Sequence, residues 1–402
     1  MKPKRVLFLV RSFLLFLGLM SLLDVVFAQE EELTQESEIG YVFGQELRFS
    51  LRVQDASSVE RITLTFRPEL SAEEYVVNVP FDSGETISVT HPIDLSLVKV
   101  RPYSQIYYSW EVKTASGAYE LPEQSFAYED DRFAWKSTTR EAITAHWTDG
   151  GPSLGQDALD VSAQALALLS KVLPIETIVP FDVYVYPSSA DMNAGRRLAG
   201  FDPEQDPPSD PHVILVTAVN PQSALADLGQ SIPYELTHLL LFRVSGDDYL
   251  SVPWWLIEGL GLTAQAQPHP DHAQFLEDAV NMGSTIPFQQ LCQAPTVKGN
   301  DAILASAQSA SLVNYILARF GSQRFAELTA SYANGVECKL AVQQILGISL
   351  QDLEEAWLNS QMQRSILEQI FSDYGLWLLI LLISLGFTGF LVWYSVRGTK
   401  QR

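Results

Sequence analysis

An acid and an imidazole lie three positions apart in an apolar segment, residues 234–238, which reads Tyr-Glu-Leu-Thr-His. In a helix, Glu235 and His238 would be neighbours on one side. A buried carboxylate must be paired or hydrogen-bonded, because its desolvation is costly. The two residues are therefore either a structural hydrogen-bonded pair or part of a metal site. Ser231 and Pro233 predict that their helix begins just before them.

A second acid, Glu258, follows 20 positions after His238, in a segment at 253–260 that reads PWWLIEGL. Together the two segments resemble the gluzincin branch of the zinc metallopeptidases, the peptidase MA group. That group carries His-Glu-x-x-His on one helix and a glutamate ligand on a following helix, often within Pro-x-Trp-Leu-x-Glu-Gly-Leu. The resemblance spans about residues 140–360 and implies a zincin-like α+β fold.

The resemblance also implies roles for individual residues. Glu235 would be the general base that polarises a zinc-bound water, and His238 and Glu258 would bind the zinc. Tyr234 stands where the family has its first histidine ligand, so it is a weak or lost ligand. A phenol with an unperturbed pKa of about 10 binds zinc poorly unless the metal deprotonates it. Ser306 stands where the later helix of the family often has tyrosine.

Three functions remain open. The first is a pseudopeptidase that binds peptides or proteins in the former cleft. The second is an active zinc peptidase, whose third ligand would be Tyr234 or a substitute such as His269 or His272, a pair expected in an exposed loop. The third is a surface-anchored structural or adhesive module. Zinc is the cofactor that these residues indicate.

The charge of the chain argues against a nucleic acid partner. The sequence has 26 Lys and Arg against 48 Asp and Glu, a net charge of −22, and a field of this sign repels phosphates. A hydrophobic content of 47% is too high for a disordered chain, and 402 residues are enough for two or three domains.

Both ends of the chain predict export and anchoring. Residues 1–28 have the basic, apolar and small-residue order of a secretory signal, with cleavage expected after Ala28 and an uncleaved anchor as the alternative. Residues 374–396 carry no charge and would rise about 34 Å as one transmembrane helix. Basic residues in the tail 397–402 predict a single-pass type I protein of the plasma membrane, with its body outside.

The two cysteines, Cys292 and Cys338, both fall in this exported body. In an oxidising compartment, one disulfide is the simplest interpretation. Two separate buried thiols are the alternative.

Hydrophobic patterning predicts two domains in the body. In residues 29–130, apolar and polar residues alternate in short runs between turn residues, which is typical of a small all-β sandwich of the immunoglobulin or fibronectin III kind. Residues 131–372, the expected peptidase MA-like domain, have strands at 143–147, 181–186 and 213–217 and become helical beyond residue 231. The predicted helices include 156–173, 309–320, 323–332 and 350–371.

The membrane orientation predicted from the charges at the two ends can be tested by proteolysis. Protease added to intact spheroplasts should release a fragment close in mass to residues 29–373, because the body is expected outside the membrane. An immunoblot against the tail measures what stays behind. Cleavage that requires lysis would reverse the orientation.

Overall fold

The computed structural model describes residues 35–362 together with residues 380 and 383–389, except for residues 55, 69–73, 99, 101, 149, 199–211, 219–221, 268 and 297. The predicted signal segment and most of the predicted membrane segment lie outside these residues. Within the described part of the chain, no helix is long and apolar enough to cross a bilayer. The chain divides into two compact units, Met1–Glu129 and Asp130–Arg402.

The N-terminal unit consists of two antiparallel sheets, which confirms the predicted all-β character. One sheet has the order β1-β2-β5; in the other, β3 lies between β4 and β6, while β7 and β8 both pair with the opposite edge of β6. Phe49 of β2 packs against Phe66 of β3 and Tyr108 of β6, with ring centroids 5.3 and 5.2 Å apart. The strands are β1 (Gln35–Val42), β2 (Glu46–Gln54), β3 (Val59–Pro68), β4 (Tyr75–Asn78), β5 (Thr86–Asp94), β6 (Ser104–Thr114), β7 (Gly117–Glu120) and β8 (Gln124–Tyr128).

The C-terminal unit is built on a four-stranded sheet with the order β12-β11-β10-β9. Strands β10 (Ile143–Trp147), β11 (Phe181–Tyr186) and β12 (Val213–Thr217) are parallel and coincide with the three predicted strands. Strand β9 (Lys136–Arg140) pairs antiparallel with β10. Alternate side chains of the strands enter one hydrophobic core that they share with the helices.

The rest of this unit is helical, as predicted, but several helix boundaries differ from those read from the sequence. Helix 156–173 is displaced to Pro152–Leu169. The predicted break between the helices at 309–320 and 323–332 is confirmed by the non-helical backbone of Gly321, whose φ is 83°, but the first of the two begins earlier, at Asn300. The two segments are treated together as α7 (Asn300–Ala333). The described helices are α1 (Pro152–Leu169), α2 (Ser189–Leu198), α3 (Ala224–Ser245), α4 (Trp254–Ala264), α5 (Pro270–Met282), α6 (Phe288–Leu291), α7 (Asn300–Ala333), α8 (Cys338–Leu346) and α9 (350–362).

Helix α3 contradicts the predicted start at Ser231, because it begins at Ala224 and carries Pro233 in its interior. A proline inside a helix cannot donate to the carbonyl four residues earlier. That carbonyl belongs to Gly229, and it accepts a hydrogen bond from the backbone N–H of Ala266 at 2.9 Å. The chain leaving α4 thus supplies the missing donor, so the proline is tolerated where the sequence pattern predicted a helix start.

Glycine allows α4 and α7 to cross closely. A Cβ atom at Gly259 would lie 2.4 Å from the backbone oxygen of Ser309, which no side chain could accommodate without separating the helices. The residue before Gly259 is Glu258, and one helical turn before Ser309 is Ser306. The close crossing therefore brings the second acid of the sequence pattern next to α7.

The predicted disulfide between Cys292 and Cys338 is confirmed. It joins the residue that ends α6 to the first residue of α8. In the chain-entropy model, closing a loop of this length restricts the unfolded chain and stabilises the fold by about 4 kcal/mol.

The close crossing predicts that Gly259→Ala lowers the free energy of unfolding by roughly 3 kcal/mol, since the new methyl group overpacks against a backbone atom. Calorimetric unfolding of the full chain measures the loss. Gly40→Ala is the control, because a Cβ atom there meets nothing within 4 Å. Equal stability of the two variants would contradict the crossing.

Candidate functional site

Helices α3 and α7 each bring one hydroxyl side chain to a carboxylate of α4, that of Glu258. The hydroxyl of Tyr234 on α3 donates to Oε2 of Glu258 at 2.7 Å. The hydroxyl of Ser306 on α7 donates to Oε1 of the same carboxylate at 2.7 Å. Both oxygens of Glu258 are therefore engaged by hydroxyl groups of the protein.

The ring of Tyr234 is held in place by close packing. Its centroid lies 4.8 Å from that of His238, one turn later on α3. A Cβ atom at Gly261 of α4 would come within 2.8 Å of Cδ2 of the tyrosine. The glycine thus leaves the space that the ring occupies, and the phenol reaches Glu258 across it.

His238 is anchored through one nitrogen only. Its Nδ1 forms a hydrogen bond of 2.8 Å with the hydroxyl of Tyr249, which lies in the 3-10 turn Gly246–Ser251 between α3 and α4. Its Nε2 is buried and has no hydrogen-bond partner among the described residues. Burial lowers the pKa of His238 to about 4, so the imidazole is neutral at pH 7.

Glu235 lines a cavity of about 550 Å³ between the end of β12 and the first half of α3. Burial raises the pKa of this carboxyl, and the charge of Arg196 on α2 opposes that shift. The cavity is lined by Thr217, Ser223, Asp227, Gln230, Ser231, Tyr234, Glu235 and Gln265.

These residues do not fit the zinc ion that the sequence pattern implies. Burial, and then the charge of Glu258, raise the pKa of Tyr234, so its phenol remains a neutral donor. Zinc in catalytic sites takes three protein ligands. Of the three residues in the ligand positions, Tyr234, His238 and Glu258, only His238 has a ligand atom without a hydrogen-bond partner among the described residues, its Nε2. In the described residues, no three His, Cys, Asp or Glu side chains are placed to share a metal ion. Tyr234 contacts both His238 and Glu258.

The alternative ligands His269 and His272 lie elsewhere, at the start of α5. Their rings stack on each other with centroids 4.9 Å apart, and Nδ1 of His269 accepts a hydrogen bond from the backbone N–H of Asp271. Neither lines the cavity of Glu235. The prediction of a loop here was wrong, because Pro270 opens a helix and His269 caps it.

Two residues of the site were not assigned their roles from the sequence. Ser306 stands where the later helix of the family often has tyrosine, and its hydroxyl donates to Glu258. Tyr249 gave no signal, because it lies in an irregular turn where no periodicity indicates which way a side chain points. The close crossing of α4 and α7 at Gly259 is the feature that indicates the contact of Ser306 with Glu258.

A family model described as the peptidase MA superfamily matches residues 161–363, just over half of the chain. No curated protein matches the chain significantly.

Three solved structures align with the chain at TM-scores of 0.20 or below, which establish no shared fold. A family 56 carbohydrate-binding module, a β-1,3-glucan binding domain, is 14% identical over 24% of this chain and 98% of its own, at a TM-score of 0.17. A family 64 β-1,3-glucanase from Paenibacillus barengoltzii is 11% identical over 30% of this chain and 27% of its own, at a TM-score of 0.17. A purple acid phosphatase from yellow lupin (Lupinus luteus) seeds is 9% identical over 46% of this chain and 35% of its own, at a TM-score of 0.20.

The Tyr234–Glu258 contact predicts that Tyr234→Phe lowers the free energy of unfolding by about 2 kcal/mol, because a hydrogen bond to a charged group is lost. Urea unfolding of the full chain measures the change. Tyr315→Phe is the matched control, since that half-buried tyrosine makes no hydrogen bond with the described residues. A double-mutant cycle with Glu258→Gln isolates the contact, and additive effects would contradict it.

Proposed function

The chain belongs to the peptidase MA superfamily, and we propose that it is a pseudopeptidase, a member whose cleft binds peptides or protein segments without hydrolysing them. The observation that carries this proposal is the pair of hydroxyls on Glu258, with Tyr234 in the position of a histidine ligand.

The chemistry of hydrolysis in this superfamily requires a metal-polarised water. Zinc bound through one oxygen of Glu258 would have to displace the hydroxyl that donates to that oxygen, and use of Tyr234 as a ligand would require the loss of its proton. Burial, and then the charges of Glu258 and Glu235, oppose that deprotonation, since they raise the pKa of the phenol. Glu235, which would act as general base, then has no activated water from which to take a proton.

The surroundings of Glu235 support the binding of an extended chain. Among the described residues, β12 is an edge strand of the sheet. Thr217, at the end of β12, lines the cavity together with Glu235. An exposed strand edge can pair with an extended peptide through backbone hydrogen bonds, while adjacent pockets receive alternate side chains. A peptide on β12 would run past this cavity.

The competing function is that of an active zinc peptidase. One observation favours it, namely the buried Nε2 of His238 that has no partner among the described residues, because an imidazole nitrogen of this kind is a good zinc ligand. It supplies one ligand where three are needed. Metal binding therefore discriminates the two functions.

We also propose that the chain is exported and held in the plasma membrane by one helix at 374–396, with its body outside. The absence of charge in this segment supports the proposal. Within its described part, Ile383, Leu385 and Phe387 are exposed apolar side chains, and a bilayer would cover them.

Restoring the family's histidine should create a zinc site. We expect Tyr234→His to bind zinc at least about 100-fold more tightly than the wild type, because each additional ligand contributes several kcal/mol of binding free energy. Zinc titration of the full chain in detergent, followed by metal analysis after dialysis, measures the difference.

Glu235→Gln added to Tyr234→His serves as the control for any peptide hydrolysis that the restored metal produces, because it removes the base and keeps the ligands. The proposed function fails if the wild-type chain retains one zinc ion per molecule and cleaves peptides.

A further inference from the structure

We infer that the cavity beside β12 binds a primary ammonium group of the bound peptide, with the carboxylate of Glu235 as its counter-ion. The inference rests on the proposed function and names the ligand class of the same cleft. It assigns to Glu235 a binding role in place of general base catalysis.

The charges that line the cavity have one sign. Asp227 and Glu235 lie eight residues apart on α3, about 12 Å along its axis. Among the described residues, no lysine, arginine or histidine lines the space between them. The other lining groups are hydroxyls, amides and the phenol of Tyr234. Such a cavity favours a cation over an anion or a neutral apolar group.

Of the two carboxylates, that of Glu235 lacks a partner. Asp227 accepts a hydrogen bond from the hydroxyl of Ser223 at 3.0 Å. Glu235 makes no hydrogen bond and no ion pair with the described residues, although its side chain is largely buried. A buried carboxylate without a partner is costly, and a cationic ligand would offset that cost.

The geometry of the lining suits an ammonium ion in particular. An ammonium group has three donors and no acceptor. Glu235 offers one charged acceptor, and the side-chain oxygens of Thr217 and Gln265 offer neutral acceptors on the same cavity wall. The phenol of Tyr234 is already committed as a donor to Glu258, so it does not compete for the carboxylate of Glu235.

Arg196 is the cationic residue whose charge reaches Glu235. It does not line the cavity, and no ion pair joins it to Glu235 in the described structure. Its charge would instead repel an arriving ammonium group. Removal of the charge of Arg196 should therefore strengthen binding of the ammonium group, whereas removal of the charge of Glu235 should weaken it.

The experiment uses three fluorescent pentapeptides with the full chain in detergent, in the presence of a metal chelator. Ala-Ala-Ala-Ala-Ala with a free amino terminus carries a terminal ammonium, N-acetyl-Ala-Ala-Lys-Ala-Ala carries a side-chain ammonium, and N-acetyl-Ala-Ala-Ala-Ala-Ala carries none; each has its fluorophore at the carboxyl end. Fluorescence anisotropy gives the Kd of each, and the first two peptides distinguish the two sources of the ammonium group.

We expect at least one ammonium-bearing peptide to bind the wild type about 10-fold more tightly than the acetylated peptide without lysine, as a charge-assisted hydrogen bond implies. Glu235→Gln should remove that preference, so that the three peptides bind the variant with similar Kd. Arg196→Gln should increase it. Glu277→Gln is the matched control, because it makes the same charge change on the exposed face of α5.

Equal binding of the three peptides, or a preference that survives Glu235→Gln, overturns the ammonium site while peptide binding stands. Failure of all three peptides to bind overturns both the ammonium site and the proposed function. Circular dichroism of each variant verifies that the fold is intact.

Discussion

The hydrogen bond from Tyr234 to Glu258 is the interaction on which the arrangement of the cleft depends. It joins α3 to α4 at the position where a metal ion joins the corresponding elements in zinc-binding members of the superfamily. The difference is one of charge. A zinc ion would bring two positive charges to the carboxyl groups of Glu258 and Glu235, whereas a neutral phenol brings none. The cleft is consequently more acidic than a metal-loaded one would be.

Two glycines make this arrangement possible, and each acts by the absence of a side chain. Gly261 accommodates the ring of Tyr234, and Gly259 allows the backbone of α7 to approach. The first fixes the donor on one oxygen of Glu258, and the second brings Ser306 to the other. Replacement of the first histidine by tyrosine therefore belongs to a packed and hydrogen-bonded unit, since the larger ring has space and its hydroxyl has a partner.

Much of the fold follows from local patterns in the sequence. Alternating apolar residues predicted the strands of both units, because one face of each strand is buried and the other is not. The pairing of Cys292 with Cys338 followed from there being only two cysteines in the body. The helix starts at Ala224 and Asn300 were missed, because tertiary contacts override the local signals there. In the site, the nearness of Tyr234 to Glu258 followed from the family resemblance. The hydroxyl contacts of Ser306 and Tyr249 depend on helix crossings and an irregular turn that no local pattern encodes.

The proline inside α3 has a further consequence for the rim of the cleft. The carbonyl of Gly229 takes its hydrogen bond from Ala266 because Pro233 has no N–H to offer, and Gln265, immediately before that donor, lines the cavity. Both partners are backbone atoms, and a Cβ atom at Gly229 would lie 3.2 Å from Cβ of Ala266. This hydrogen bond therefore depends on small residues at 229 and 266 as well as on the residue type at 233. Any residue other than proline there would introduce a competing donor within the helix. A substitution buried in the middle of α3 would then act on α4, by releasing its last residues and widening the entrance past Gln265.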